Sequence, residues 1–348
     1  MAPARFRGAF SNGFQLTLCL GSLAANVINY GADKLTGGWG WRLSLGLAGV
    51  PAAFFTLGAV FLPETPNSLV QQGADRGKVR ALLQRIRGTD AVDAELADIV
   101  AASGGGGGDN GLQLILSRPR YRPQLAIAVL MPAFTQLNGI NAIGFYAPVL
   151  LRTVGMGESL ALLSTVITVV IYTASTVVFM FVIDRFGRRT LLIVGSLQML
   201  ASEILIGAIM AAELGDEGGV GRGYAAALFV LIGVYVAGYS WSWGPMTWLV
   251  PTEVFPLEIR SAGQSVTVAS GFVFTIFVAQ GFLAMLCRMR AWLFFFFAGW
   301  IVVMTGFVYL FLPETKGMPI EQVGKVWREH WFWGRVVGVD ESQASDKL

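Results

Sequence analysis

The sequence predicts an all-α protein that crosses a membrane many times. Three observations carry that expectation. Hydrophobic residues make up 54% of the 348 and charged residues only 14%, where soluble domains carry roughly 25% charged; the mean hydropathy is +0.61. Apolar runs of the length a bilayer demands, roughly 20 residues, recur along the chain. The Lys and Arg residues sort between alternate connecting segments rather than scattering.

In chain order the apolar runs fall near 10–31, 42–62, 123–151, 159–183, 190–212, 223–250, 262–286 and 291–312, which predicts about eight transmembrane helices. The basic start at Arg5 and Arg7 leads into the first run without a short core and small-residue cleavage site, so that run is expected to remain as a helix. Of the 25 Lys and Arg, 19 lie in one set of segments: Arg5 and Arg7, Arg76 to Arg122, Arg185 to Arg189, Arg260, and Lys316 to Lys347. The other set holds six: Lys34, Arg42, Arg152, Arg222, Arg288 and Arg290. The excess of basic residues marks the cytoplasmic side, so both termini are expected there.

Residues 63–122 form the one long polar stretch. Val79, Leu82, Leu83 and Ile86, then Leu96, Ile99 and Val100, recur at helical spacing among mixed charges, which predicts short amphipathic helices. The glycine run from Ser103 to Asp109 reads as a flexible linker. The expected organisation is a two-helix remnant of one bundle (1–62), this polar loop (63–122), a six-helix bundle (123–312) and a tail (313–348).

An internal repeat supports the division. Pro3, Arg7 and Ala9 are echoed by Pro256, Arg260 and Ala262, and Phe61-Leu62-Pro63-Glu64-Thr65 by Phe311-Leu312-Pro313-Glu314-Thr315. Pro3 and Pro63 are 60 residues apart, Pro256 and Pro313 57. Parallel repeats of this kind build transporters. Four helices precede the second copy and none the first, so the chain is expected to be truncated, with Met1 an internal methionine.

Composition also excludes. The net charge of +3 is small and sorted by membrane side, so nucleic acid is not an expected partner. One histidine, His330, and two cysteines, Cys19 and Cys287, have no metal-type spacing. No cofactor, metal or nucleophile–base constellation is expected, and therefore no enzyme.

The most unusual stretch is Gly238 to Ala262, where three tryptophans (Trp241, Trp243, Trp248) flank a Gly244-Pro245 break and charges follow Pro251. With RGAFSNGFQ (7–15), GWGWRLSLGLAGVPA (38–52), PETPNSL (63–69), IRGTDAVDAELADI (86–99), GINAIGFYAPVL (139–150), DRFGRR (184–189) and PETKGMPIE (313–321), it resembles the sugar porter family of the major facilitator superfamily, and within it the plant monosaccharide/proton symporters. The resemblance covers essentially the whole chain as helices 5 to 12 of twelve. It implies an incomplete major facilitator fold and a monomeric carrier in the plasma membrane. It also implies hexose transport by alternating access, with a proton as coupling ion in the intact form.

A neutral polyol needs amides that donate and accept, plus an aromatic platform. The family's binding pattern maps onto Gln15, Gln136, Asn141, Gly244, Trp248 and Thr275, although amides within spans also join helices to one another. Three positions depart: Thr135 stands where a glutamine is usual, and Tyr172 and Gly271 where asparagines are. The usual hexose preference is therefore not expected to transfer unchanged. A charge network of Asp184, Arg185, Arg188, Arg189, Glu253 and Arg260 is expected to close the inner gate, with Arg7, Glu64 and Glu314 as counterparts; membrane anchoring is the plainer role for part of it. Glu203, the one acid deep in a span, is expected to pack helices, because the family's proton-coupling Asp–Arg pair lies on helices not present here. Cys287 is expected to be a free thiol, Cys19 a packing residue, and Trp327, His330, Trp331 and Trp333 an interfacial belt. The alternative is a non-transporting fragment or sugar-sensing relative.

Overall fold

A computed structural model of the chain describes residues 13–35, 38–62, 64, 66–104, 111–141, 143–144, 158–213, 222–256, 259–316 and 323–337. The described residues form helices and no strand. A first unit holds α1 (Gly13–Ala32) and a broken helix, α2 (Trp39–Gly46) and α3 (Gly49–Phe61). The polar stretch folds into α4 (Pro66–Gln71), α5 (Arg76–Arg87), α6 (Asp93–Gly104) and α7 (Gly111–Ser117). The larger bundle comprises α8 (Arg122–Leu137), α9 (Glu158–Phe186), α10 (Arg188–Glu213), α11 (Arg222–Ser240), α12 (Trp243–Val254), α13 (Arg260–Met289) and α14 (Trp292–Phe311). Two short helices follow, α15 (Val323–Glu329) and α16 (Trp333–Val337).

Among the described residues, six stretches are long and apolar enough to cross a membrane: Trp39–Phe61, Leu163–Ile183, Arg188–Ala212, Gly223–Val254, Arg260–Met289 and Trp292–Phe311. The other two predicted spans are α1 and α8. In α1, Gln15, Asn26 and Asn29 dilute the apolar run; α8 has 16 residues before Asn138 ends it. The predicted run 223–250 is two helices, α11 and α12, because the chain turns at Trp241–Ser242. Partners from α10 hold that turn: the Trp241 indole donates to Gln198 Oε1 at 3.1 Å and the Trp243 indole to Ser196 Oγ at 2.7 Å. Pro245 lies in the first turn of α12, where a helix does not need its missing N–H.

Within lipid, burying apolar surface gains little over leaving it on acyl chains, so close packing and hydrogen bonds hold the helices. The bundle core draws Met131 and Phe134 from α8, Met199 and Ile206 from α10, Tyr235 from α11, Trp243 and Val250 from α12, and Ile301 and Met304 from α14. Trp243 meets Phe134 edge to face, with centroids 6.3 Å apart. Phe181, Phe277 and Leu283 instead lie on the outside, where lipid tails would cover them. The smaller unit joins the bundle through α1 against α9, and the most apolar window of Trp39–Phe61 buries 0% of its residues.

In the polar stretch, Val79, Leu83, Val92 and Ile99 pack together with Leu69, Val70 and Leu96 at their edge. Ile86, assigned to the same face by spacing, is exposed. Arg87 reaches Glu95 at 2.6 Å and holds its carboxyl below the usual range by that hydrogen bond. The linker glycines after Gly104 lie outside the described residues. Trp327 and Trp333 are buried in the bundle rather than lying at an interface, and Trp331 is exposed. The indoles of Trp331 and Trp333 donate to the carbonyls of Leu310 and Phe311, each at 2.9 Å, covering the open end of α14.

Candidate functional site

The candidates fall into three clusters, each of which includes a residue of α12. The first lines a cavity of about 130 Å³ between Pro132, Thr135 and Gln136 of α8, Thr247 and Trp248 of α12, and Val268, Gly271, Phe272 and Thr275 of α13. Thr135, Gln136, Trp248, Gly271 and Thr275 thus meet around one space. The Thr135 hydroxyl donates to the Met131 carbonyl at 3.0 Å and touches the Thr247 hydroxyl, tying α8 to α12. The Thr275 hydroxyl donates to the Gly271 carbonyl at 2.8 Å, which leaves its oxygen as an acceptor. At Gly271 the missing side chain is part of the cavity's volume.

Asn141 lies beyond the end of α8 and donates Nδ2 to Gln136 Oε1 at 2.7 Å. This pair leaves the Gln136 amide N–H groups as donors and the Asn141 oxygen as acceptor, a complement for vicinal hydroxyls.

The second cluster spans the seam with the smaller unit. Gln15 donates Nε2 to the Tyr172 hydroxyl at 2.7 Å, while its Oε1 is buried without a partner among the described residues. The Tyr172 and Tyr239 rings lie 6.1 Å apart. A Cβ on Gly244 would come within 3.1 Å of the Tyr239 ring and 3.2 Å of the Tyr172 hydroxyl. Both rings depend on a glycine there, one turn from Trp248. Along the same seam Cys19 Sγ is 3.6 Å from Thr176 Oγ1.

The charged residues gather at the other end of α12. Arg188 forks onto Glu253, with Nη2 2.7 Å from Oε1 and Nε 3.1 Å from Oε2. Their side chains are 7% and 24% exposed, so water competes little. Thr315 Oγ1 donates to Glu253 Oε2 at 2.9 Å. Glu314 accepts backbone N–H groups from Arg188 at 2.9 Å, Arg189 at 3.0 Å and Lys316 at 3.1 Å. It therefore covers the start of α10, where helix donors lack partners and negative charge is favoured. Gly187 turns the chain there with φ +89°, and a Cβ on it would lie 2.8 Å from Glu314 Oε2.

Three other gate candidates make contacts of their own. Arg189 lies over the Tyr309 ring at 5.1 Å, the Arg185 carbonyl accepts Lys316 Nζ at 2.8 Å, and Arg260 donates to the Phe255 carbonyl at 3.2 Å. Glu64 is exposed. Arg7 and the Asp184 side chain lie outside the described residues. The network seen here is internal to the larger bundle.

Sequence reasoning missed Thr247, Phe272 and Val268 in the cavity wall, Tyr239 behind Gly244, and Thr315 on Glu253. Only Thr315 had a signal, as the last residue of the repeated Pro-Glu-Thr. Cys19 is buried and Cys287 exposed, both as free thiols. Glu203 joins no helices by hydrogen bonds: both its oxygens are buried without partners among the described residues.

The model of the sugar (and other) transporter family matches residues 1–327. The hexose carrier protein HEX6 of Ricinus communis is 54% identical over 359 aligned positions, covering 100% of this chain and 68% of the relative. Sugar transport protein 3 of Arabidopsis thaliana is 53% identical, covering 100% and 67%. The chain thus spans about two thirds of each relative's length. Among solved structures, the proton:xylose symporter XylE bound to 6-bromo-6-deoxy-D-glucose superposes with a TM-score of 0.78 at 26% identity, covering 94% of this chain and 68% of that one. The inward open conformation of XylE from E. coli gives a TM-score of 0.68 at 26% identity, covering 93% and 66%.

Proposed function

Because the chain belongs to the sugar (and other) transporter family, we propose that in its intact form it is a monosaccharide carrier of the hexose class, coupled to protons and working by alternating access. It acts as a monomer in the plasma membrane with both termini cytoplasmic, and needs no cofactor besides the coupling proton. One observation supports this reading above the others: Gln136, Trp248 and Thr275 line one cavity, with Asn141 bonded to Gln136 at its rim. Donors, acceptors and an indole face around an uncharged space suit a sugar's hydroxyls and C–H faces.

Gln15 and Gly244 complete the site from the seam, where the smaller unit moves against the bundle. Arg188, Glu253 and Glu314 brace the cytoplasmic end, and Arg7, Glu64, Asp184, Arg185, Arg189 and Arg260 extend that gate. The better superposition on the sugar-bound XylE structure than on its inward open form supports a conformation that is not inward open. Thr135, Tyr172 and Gly271 alter specificity. Tyr172 spends an acceptor position of its hydroxyl on Gln15 and keeps the O–H as a donor, and Gly271 offers no side chain, so neither position presents an amide to a sugar.

Equilibrium binding of radiolabelled glucose, xylose and an amino acid to the purified chain tests the reading. Saturable sugar binding is expected, weakened up to about tenfold by Gln136→Ala or Trp248→Ala, the scale of one lost hydrogen bond. Equal retention of the amino acid, or indifference to both substitutions, overturns it. A glucose affinity matching that of the plant relatives refutes the altered specificity alone.

A further inference from the structure

The break after α8 is built against a carboxylic acid. Glu203, midway along α10, is 0% exposed, and neither oxygen has a hydrogen-bond partner among the described residues. Gly139 takes φ +88°, and a Cβ there would fall 2.9 Å from Glu203 Oε1 and 2.8 Å from the Phe297 ring. Acid and break are therefore in direct contact. Asn138, 0% exposed, shapes the break: its Oδ1 accepts the Ile140 N–H at 2.9 Å, and its carbonyl accepts the Tyr235 hydroxyl at 2.6 Å. Asn138 Nδ2 is another buried polar atom without a partner among the described residues.

The described surroundings of the acid are neutral. Beside it lie Gly139, just past the end of α8, and the Phe297 ring of α14, and Tyr235 of α11 is a titratable group that interacts with it. No described Lys, Arg or His hydrogen-bonds to it. An ionised carboxylate there carries a desolvation penalty of several kcal/mol, with no described cation bonded to it to offset that cost. A neutral acid avoids most of that penalty, and acids inside membrane spans mark proton or ion pathways. The break also separates the cavity-lining Gln136 before it from Asn141 after it, bonded to each other at 2.7 Å.

We infer that Glu203 is a proton-binding site linked to the sugar site through the Asn138–Gly139 break. With the proton on, the neutral acid packs against Gly139 and the break holds Gln136 and Asn141 together. With the proton off, the charge draws in water, the break shifts and the amide pair separates. The proton comes from the aqueous phase and returns to it, and only the carboxyl O–H bond forms or breaks. The link to sugar rests on the functional reading given above; the proton site does not.

Infrared spectra of the purified chain across a pH titration test the proton site. Surface carboxylates are ionised at neutral pH, so a neutral-carboxyl band is expected to persist there, to vanish in alkali and to be absent from Glu203→Gln. If that variant does not fold, isotope-labelled glutamate in the unaltered chain settles the same point. Absence of the band at neutral pH overturns the site. Radiolabelled monosaccharide binding tests the link. Affinity is expected to fall at least about fivefold on raising the pH through the band's loss, the low end of ordinary site-to-site coupling. Glu203→Gln should keep the low-pH affinity throughout. The same pH profile in both proteins overturns the link, whereas no sugar binding at any pH, with the band present, overturns the sugar reading on which the link rests.

Discussion

Two acids of the larger bundle lie against left-handed glycines, Glu314 beside Gly187 and Glu203 beside Gly139, yet their environments are opposite. Glu314 is an acceptor for three backbone N–H groups, two of them at the start of α10. Glu203 accepts from no described group. A glycine that brings backbone close to a carboxyl group serves either end: it presents donors in one case and apolar surface in the other. The difference assigns charge to Glu314 and neutrality to Glu203. One corner is a structural clamp and the other is free to change its proton.

The strongest disruption of the clamped corner is Arg188→Met. It strands Glu253 in a mostly buried setting with Thr315 as its remaining described side-chain donor, and about 3 kcal/mol of stability should be lost, read by thermal unfolding in detergent. Adding Glu253→Gln should recover part of that loss; no recovery would show that the charge pair is not its source. Next come Gly187→Ala and Gly139→Ala. Each forces a side chain into left-handed backbone and within 3 Å of a neighbour, so each should cost about 1–3 kcal/mol.

The comparison is sharpened by one substitution made twice. Glu314→Gln weakens charge-assisted bonds and should cost about 1 kcal/mol, whereas Glu203→Gln has no described hydrogen-bond partner to lose and should cost clearly less. Equal losses at the two positions would erase the distinction. The smallest effect is expected in the tail. His330 Nδ1 faces the N–H groups of Phe332 at 3.3 Å and Trp333 at 3.4 Å. Burial, and then Arg189, hold its proton affinity below the usual range. The tail should therefore be firmest above the ordinary histidine pKa of 6.5 and loosen as pH falls below it, a step visible in tryptophan fluorescence and missing in His330→Ala.

The spans were legible because lipid imposes length and hydropathy on each helix by itself. Gln136, Trp248 and Thr275 were legible through motifs around them, and the structure puts them around one cavity. Val268 and Phe272 were not, since an apolar residue lining a cavity and one facing lipid look alike in sequence. Glu314 was read as one charge among several at a gate. Its task at the start of α10 depends on residues 125 and 126 positions away coming together, which no local pattern records. Arg260 was grouped with Glu253 on the family pattern, and its bond to the Phe255 carbonyl, five residues back, is a local contact that the pattern did not indicate. The acid at 203 was visible, but not that its oxygens are buried without a partner among the described residues.

The capped end of α14 bears on how the protein meets membranes of different thickness. Its last carbonyls are held by two indoles from the tail, so that end of the bundle is anchored to protein at a fixed height. The stretch Trp39–Phe61 shows no such cap among the described residues and buries none of its apolar window. A thinner or thicker bilayer is accommodated by tilt where neighbours do not oppose it. Among the described residues one edge is thus held and the other is open to tilt, and a mismatch in bilayer thickness should be taken up first at the open one.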